Sequence, residues 1–336
     1  SAGTDVAGMR ALVELAERCR GIVDHANRAA LFRNLRVLQD TGWISTTLTE
    51  VRNRADLLVI AGSGIDNAFP RLFERCFGAF ETLFDTGARE LIILGDLPEN
   101  LPAALKRKAT CLPVESQRLA EVFAALRMLL ANRRIPATTV AGLSVAQLGA
   151  LLARMRAAKY GVIAWAAAQL EFAHADLAVQ SMCDFVRELN VSTRFSVLPL
   201  GGSDGDLTAL QVTTWQTGFP VGVDFGGGMP SPAESREPLN SLNGDADVDA
   251  LVFVSAIDPA RTPPAANVPS IVIGRAGMQA GQCDVFIPVG VPGLHHAGHL
   301  FRTDSVVALR MRQIAACALP AAGDVLRQLL RALEAH

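Results

Sequence analysis

No two cysteines in this sequence stand in C-x-x-C spacing. The six, Cys19, Cys76, Cys111, Cys183, Cys283 and Cys317, are scattered singly. That excludes a locally built zinc site or iron–sulfur cluster and predicts buried, reduced thiols. No run of 18 apolar residues occurs, since the richest stretch, Tyr160 to Leu170, gives way to Glu171, so no membrane-spanning helix is expected. There is no excess of one charge. Lys plus Arg number 31 against 33 for Asp plus Glu, which removes the basic field that nucleic acid or anionic lipid would need. Ser1-Ala-Gly-Thr-Asp has neither the basic nor the apolar part of a secretory signal, and a cytoplasmic location is expected. Charged residues are only 19% of the chain and hydrophobic ones 50%, a surplus that predicts a soluble protein burying further surface against partner chains.

At 336 residues the chain is long enough for two domains. Apolar runs alternate with longer amphipathic stretches, the pattern of β-α-β units around a parallel sheet. The runs are Leu57–Gly62, Leu91–Gly95, Gly161–Ala164, Leu251–Val254, Ser270–Gly274 and Asp284–Pro288. Helices are expected over Val6–Arg20, Glu115–Asn132, Ser144–Ala158 and Ala175–Asn190, with Ser144 and Gln147 forming a capping box at the start of the third. Pro136 closes Arg133-Arg-Ile-Pro136 and marks the expected boundary between an α/β domain over residues 1–135 and a second over 136–336. From Gly201 to Gly244 the composition turns to Gly, Pro, Ser and Asp and reads as a long loop.

Motifs for chemistry are sparse. Gly62-Ser-Gly64-Ile-Asp-Asn67 follows a strand, as a phosphate-cradling turn would. Asn67, however, stands where a dinucleotide fingerprint has its third glycine, so the turn reads as a plain strand-to-helix connection. His295 and His299 have one-turn spacing, yet Gly293 and Gly298 argue for loop and no H-E-x-x-H pattern exists; a polar loop is expected rather than a metal site. No Cys has a His neighbour, and no nucleophile is assigned. Arg28, Arg33 and Arg36 read as a solvated helix face, with an anion-binding face as the alternative.

Val23-Asp-His25, Leu38-Gln39-Asp-Thr-Gly-Trp43, Thr47 to Asp56 and Gly62 to Arg71 resemble the molybdopterin-binding B subunit of formylmethanofuran dehydrogenases, a branch of the formate dehydrogenase and dimethyl sulfoxide reductase superfamily. Trp215-Gln-Thr-Gly-Phe-Pro220-Val-Gly-Val-Asp224, Asp247-Val-Asp249, Ile287 to Gly298 and Arg302-Thr-Asp304 extend the resemblance over nearly the whole chain. It implies a fold of two Rossmann-like α/β domains with mostly parallel sheets.

Three departures from the family pattern imply lost redox chemistry. The segment that carries a molybdenum- or tungsten-ligating cysteine or selenocysteine reads Ala26-Asn-Arg-Ala-Ala30-Leu-Phe-Arg33 here, without a sulfur donor. The family's N-terminal region with four cysteines has no counterpart, so no iron–sulfur cluster is expected. The glycine loops Gly62 to Asn67 and Gly201-Gly202-Ser-Asp-Gly205 are altered. No molybdopterin, metal or catalytic residue is therefore expected, only a vestigial pterin cleft near Ala30, Arg33, Arg36, Gly62, Asn67, Arg71, Gly202 and Trp215, closed by Phe32, Arg33 and Arg36.

The resemblance is strongest to the branch found in bacterial formyltransferase/hydrolase complexes. There it implies a non-catalytic scaffold that accompanies amidohydrolase-like, formyltransferase and C-like chains, with zinc on the amidohydrolase partner. The complex would convert formyl-tetrahydromethanopterin to formate through a methanofuran-like carrier, whose acidic tail would suit Arg28, Arg33, Arg36 or Arg71. The alternative is an active molybdo- or tungstopterin subunit of a formylmethanofuran dehydrogenase.

Overall fold

A computed structural model describes residues 2–78, 82–83, 89–233, 248–265 and 267–335. The chain forms two compact units, a middle unit, Phe32–Leu200, and a terminal unit built from both chain ends, Ser1–Leu31 with Gly201–His336. The expected boundary at Pro136 is thereby corrected. Pro136 lies inside the middle unit, where it follows the helix Leu119–Leu130 and ends an element rather than a domain.

The terminal unit opens with β1 (Ala2–Gly3), α1 (Val6–Arg18) and β2 (Ile22–Val23). Helix α2 (Arg28–Asp40) carries the division between the units. The middle unit continues with α3 (Leu48–Arg54), β3 (Leu57–Ala61), α4 (Leu72–Cys76), β4 (Glu90–Leu94), β5 (Thr110–Leu112), α5 (Leu119–Leu130), α6 (Val145–Ala157), β6 (Gly161–Ala166), α7 (Ala175–Leu189) and β7 (Phe195–Leu200). Its five strands run parallel in the order β5-β4-β3-β6-β7, a doubly wound sheet whose direction of winding reverses between β3 and β6. Strands covered on both faces need apolar residues at successive positions, and Leu57–Ala61 is buried throughout. Leu58, Ile60, Leu91, Ile93 and Val162 pack in one core cluster with Val51 of α3 and Phe73 of α4. The expected capping box is present, Gln147 N donating to Ser144 Oγ and Ser144 N to Gln147 Oε1.

Strand β7 was not expected, because Pro199 interrupts its apolar run. A proline is tolerated where one side of a strand has no ladder to feed. β7 is the last strand of its sheet, and on its outer side only an isolated bridge at Val197 continues, to Ser45.

The terminal unit resumes with α8 (Asp206–Thr217), β8 (Val223–Asp224), β9 (Leu251–Ser255), β10 (Ser270–Arg275), β11 (Val285–Val289), β12 (Gly298–Phe301), β13 (Ala308–Met311) and α9 (Ala322–Glu334). A second parallel sheet has the order β1-β9-β10-β11, and β12 pairs antiparallel with β13. Helix α1 is capped by Asp5, whose carboxylate accepts from Gly8 N at 2.9 Å. A Cβ added at Gly323 would lie 3.1 Å from Gly8 N, so α1 and α9 pack at glycine. Helix α8 corrects the long loop expected over Gly201–Gly244; residues 234–244 lie outside the described ones.

Arg89 ties two helix ends of the middle unit together. Its guanidinium donates to the carbonyls of Val51 (2.6 Å), Ala55 (2.9 Å), Cys76 (3.3 Å) and Gly78 (3.3 Å) and lies 3.9 Å from the Phe77 ring centroid. Ala55, Cys76 and Gly78 lie at the ends of α3 and α4, where carbonyls run out of helical partners, and Val51 O accepts from Ala55 N as well. Burial pushes the guanidinium down to about 10, so it stays charged at neutral pH. Arg89→Ala is expected to destabilise the protein by about 2–4 kcal/mol and Arg89→Lys by less, as urea denaturation would measure.

Candidate functional site

Ligands of open α/β sheets bind beyond the carboxyl ends of the strands where the winding reverses. In the middle unit that place lies between Gly62, after β3, and Ala167, after β6. Gly62 has φ 94° and Gly64 φ 77°, backbone conformations that favour glycine. The Gly62 N–H is taken by Leu94 O at 2.9 Å. A Cβ at Gly62 would stand 3.1 Å from Leu170 Cδ2, and one at Gly64 would stand 2.8 Å from Gln169 Oε1. The open sides of both glycines thus face side chains of this chain, and Leu170 is fully buried. Asn67 accepts from Asn100 Nδ2 at 3.3 Å, while Asp66 Oδ2 accepts from Asn100 N at 3.0 Å; the position of the missing third glycine holds a neighbouring loop.

The arginines separate by environment. Arg33, half-buried, donates to Ala167 O at 2.8 Å, and burial lowers its pKa against the opposing effect of Glu171 and Asp176. Arg36 is exposed and 4.0 Å from Asp176. Arg71 is engaged in a two-pronged bond with Glu74, at 2.7 and 3.2 Å. Leu170 and Gln169, which meet the glycine turn, escaped the sequence reading because they lie a hundred residues from it.

In the terminal unit a buried polar network connects the start of α2, the loop before α8 and the end of β9. Arg28 corrects the expected solvated face, since it is buried, 3.3 Å from Asp24 Oδ2, and donates to Ala233 O at 2.7 Å. His25 accepts from Asn27 N at Nδ1 (3.0 Å), so Nε2 carries the proton and donates to Asp204 O at 3.1 Å. Burial holds His25 down at about 3. Asn27 Nδ2 donates to Asp206 Oδ2 and Ser203 O, each at 3.1 Å, while its Oδ1 accepts from Arg261. Arg261 Nε lies 3.7 Å from Asp258 and 3.9 Å from Asp204. Ser255 Oγ donates to Asp204 Oδ1 at 3.1 Å.

The loop Gly201–Gly205 is filled from within. The first residue of α8, Asp206, accepts from Gly202 N through Oδ1, and the N–H of Leu207 also bonds it. Its carboxylate stands where an anion at the start of a helix would stand. Burial pushes it up to about 6 against those bonds and Asn27. Ala30 is buried. Trp215 is 58% exposed and packs against Phe301 with ring centroids 5.3 Å apart and planes tilted by 60°. His295 Nδ1 accepts from Val291 N, His296 lies in the same loop, and His299 belongs to β12 opposite Arg310. Helical spacing does not apply to this histidine cluster, and no group of three or more potential ligands that could hold a metal occurs among the described residues. Of the six cysteines, Cys76 and Cys183 are buried, whereas Cys19 and Cys111 are exposed, which corrects the uniform burial expected.

No protein-family model matches the chain. It is 26% identical over 310 residues to the B subunit of the tungsten-containing formylmethanofuran dehydrogenase 2 of Methanocaldococcus jannaschii, covering 90% of this chain and 71% of that protein. The B subunit of the formyltransferase/hydrolase complex Fhc of Methylorubrum extorquens is 28% identical over 301 residues, covering 88% and 78%. The chain is a homologue of these B subunits. The crystal structure of the M. extorquens complex FhcABCD with methylofuran contains a chain that superposes with a TM-score of 0.83 at 25% identity, over 100% of this chain and 90% of that one. The homologue keeps the two parallel sheets of a Rossmann-like α/β body, and no described helix is long and apolar enough to cross a membrane.

His25 and Asp206 oppose each other in acid. His25, lowered from 6.5 to about 3, binds its proton more readily in the unfolded chain, so its contribution to stability falls as the pH drops below about 6.5. Asp206, raised from 3.8 to about 6, binds its proton more readily when folded; its contribution is complete below about 3.8 and is lost as the pH rises through 6. The slopes largely cancel between about pH 4 and 6. Asp206→Asn removes one of them, so urea denaturation is expected to show stability falling by up to about 1.4 kcal/mol per pH unit below pH 6, against a flatter curve for the parent.

Proposed function

We propose that the chain is a non-catalytic subunit of a formyltransferase/hydrolase complex, the retained body of a former pterin-binding redox subunit. The observation that carries this reading is that both glycine loops are occupied by the chain's own side chains, Leu170 and Gln169 at Gly62 and Gly64, and Asp206 at Gly202. The residues present do not fit a molybdo- or tungstopterin. A phosphate near Gly202 would meet the Asp206 carboxylate, and like charges repel at that range. The segment Ala26–Arg33 supplies no thiolate for a soft metal. Redox activity is accordingly absent in this reading, and the chemistry, with its zinc, belongs to amidohydrolase-like and formyltransferase partners acting with a C-like chain.

The fold does not require the cofactor, because each sheet has an apolar core of its own. Contact with the acidic tail of a methanofuran-like carrier falls to Arg33 and Arg36. Arg28 and Arg71 are held in closer ion pairs, with Asp24 at 3.3 Å and Glu74 at 2.7 Å, than Arg36 is with Asp176 at 4.0 Å, and Arg33 has no carboxylate that close among the described residues.

Native mass spectrometry of the chain purified from its own cells, with elemental analysis, tests the proposal. The expected result is a hetero-oligomer whose zinc is assigned to another subunit and which lacks stoichiometric molybdenum or tungsten. A metal–pterin adduct on this chain would instead make it an oxidoreductase subunit of the formylmethanofuran dehydrogenase type.

A further inference from the structure

From Val306 to Ile314 every residue except Met311 is exposed. Val306, Val307, Leu309 and Ile314 are large hydrophobic side chains among them, and Ile314 is 79% exposed. Scattered singly, such side chains need no explanation; gathered along one extended stretch, they mark a surface that another molecule covers. The stretch contains β13, which forms a two-stranded sheet with β12.

Arg302 N donates to Val307 O at 2.9 Å, in step with the pairing of Phe301 with Ala308 and of His299 with Arg310. Antiparallel pairs exchange hydrogen bonds alternately. The bonded pairs are therefore Leu300 with Leu309 and Gly298 with Met311, and the N–H and C=O groups of Ala308 and Arg310 point away from β12 along an open edge. Proline commonly blunts such edges. Pro199 lies in β7 and Pro288 in β11, each an outer strand of its parallel sheet, whereas β13 has no proline.

Charge selects the occupant. The side chains of Ala308 and Arg310 share a face with Phe301 and His299, and Arg312 follows on that face. Asp304 is the only carboxylate between Val285 and Gly323, and Arg302 holds it at 2.6 Å. Asp5 lies at Gly298 under the opposite face, buried and accepting from Gly8 N. Arg310 and Arg312 form no ion pair among the described residues. A second copy added antiparallel to its own β13 would set these arginines against each other, and like charges opposed across a ladder repel. We infer that β13 is the docking edge for an extended segment of a partner chain, in which carboxylates facing Arg310 and Arg312 alternate with aliphatic side chains on the face of Leu309. The segment joins β12 and β13 as a third strand, held by the open N–H and C=O groups. This inference rests on the reading of the chain as one subunit of a hetero-oligomer.

Hydrogen exchange tests it, comparing the chain alone with the hetero-oligomer purified from its own cells. The amides of Ala308 and Arg310 are expected to exchange about a hundredfold more slowly in the assembly. Arg310→Lys keeps the cation and supplies an amine, so a carbodiimide is expected to join position 310 to a carboxylate of a different chain. Arg310→Glu with Arg312→Glu is expected to weaken the assembly at least about tenfold, read by mass photometry, without changing the melting temperature of the chain alone, since both side chains are exposed. Equal exchange in chain and assembly, a cross-link to a second copy of this chain, or an assembly indifferent to the double reversal overturns the inference. A hetero-oligomer that forms while these amides stay fast removes the docking edge alone; a chain that enters no hetero-oligomer removes the functional reading with it.

Discussion

The Asp206 carboxylate holds the terminal unit's loop in place. A helix start leaves N–H groups without partners, and the glycine turn before α8 aims another at the same point. Asp206 accepts from Gly202 and Leu207 and, through Asn27, is linked to Arg261. Asp204, held with φ 50° in the same turn, accepts from Ser255 at the end of β9 and offers its carbonyl to His25. One buried carboxylate thus fixes a turn, and the turn fixes the residues that follow β2.

The middle unit meets the same requirement with uncharged groups. The end of a parallel sheet at its reversal point presents glycine backbone that something must cover. Here Leu170 closes Gly62 by van der Waals contact and Gln169 approaches Gly64 with an amide oxygen. An apolar leucine at this point lowers the local polarity that a phosphate would need, while covering the backbone as well as a ligand would. Two chemically different fillings therefore give one outcome, glycine turns that are covered by side chains of the same chain.

How much of this could be read in the sequence depends on the range of the interaction. Leu57–Ala61 and Leu251–Ser255 were legible because uninterrupted apolar strands follow from local composition, and Ser144 with Gln147 because a capping box spans three residues. Helix α8 was not, for its flanking glycines and its Thr213, Thr214 and Thr217 resemble loop composition. Those threonines return their hydroxyls to backbone carbonyls of the helix, a compensation that composition does not reveal. The altered glycine loops were visible as altered, yet what fills them was not. The partners of Gly62 and Gly64 come from beyond β6, and that pairing exists only once the sheet has assembled. Arg28 was misjudged for the same reason, since its burial depends on Ala233, far along the chain.

Retaining so many buried charges is itself informative. Burying Asp24, Arg28, Asp204 and Asp206 costs desolvation that mutual attraction only partly offsets, and apolar replacements of equal volume are often as stable. An apolar side chain cannot, however, accept from the N–H groups of Gly202 and Leu207 or from the hydroxyl of Ser255, and each donor left buried without a partner costs about 1–3 kcal/mol. Once the backbone of the turn is fixed, its polar lining is obligatory. A turn of this kind needs an acceptor from a bound group or from the chain itself, and a carboxylate on the first residue of the helix is the shortest route to the second.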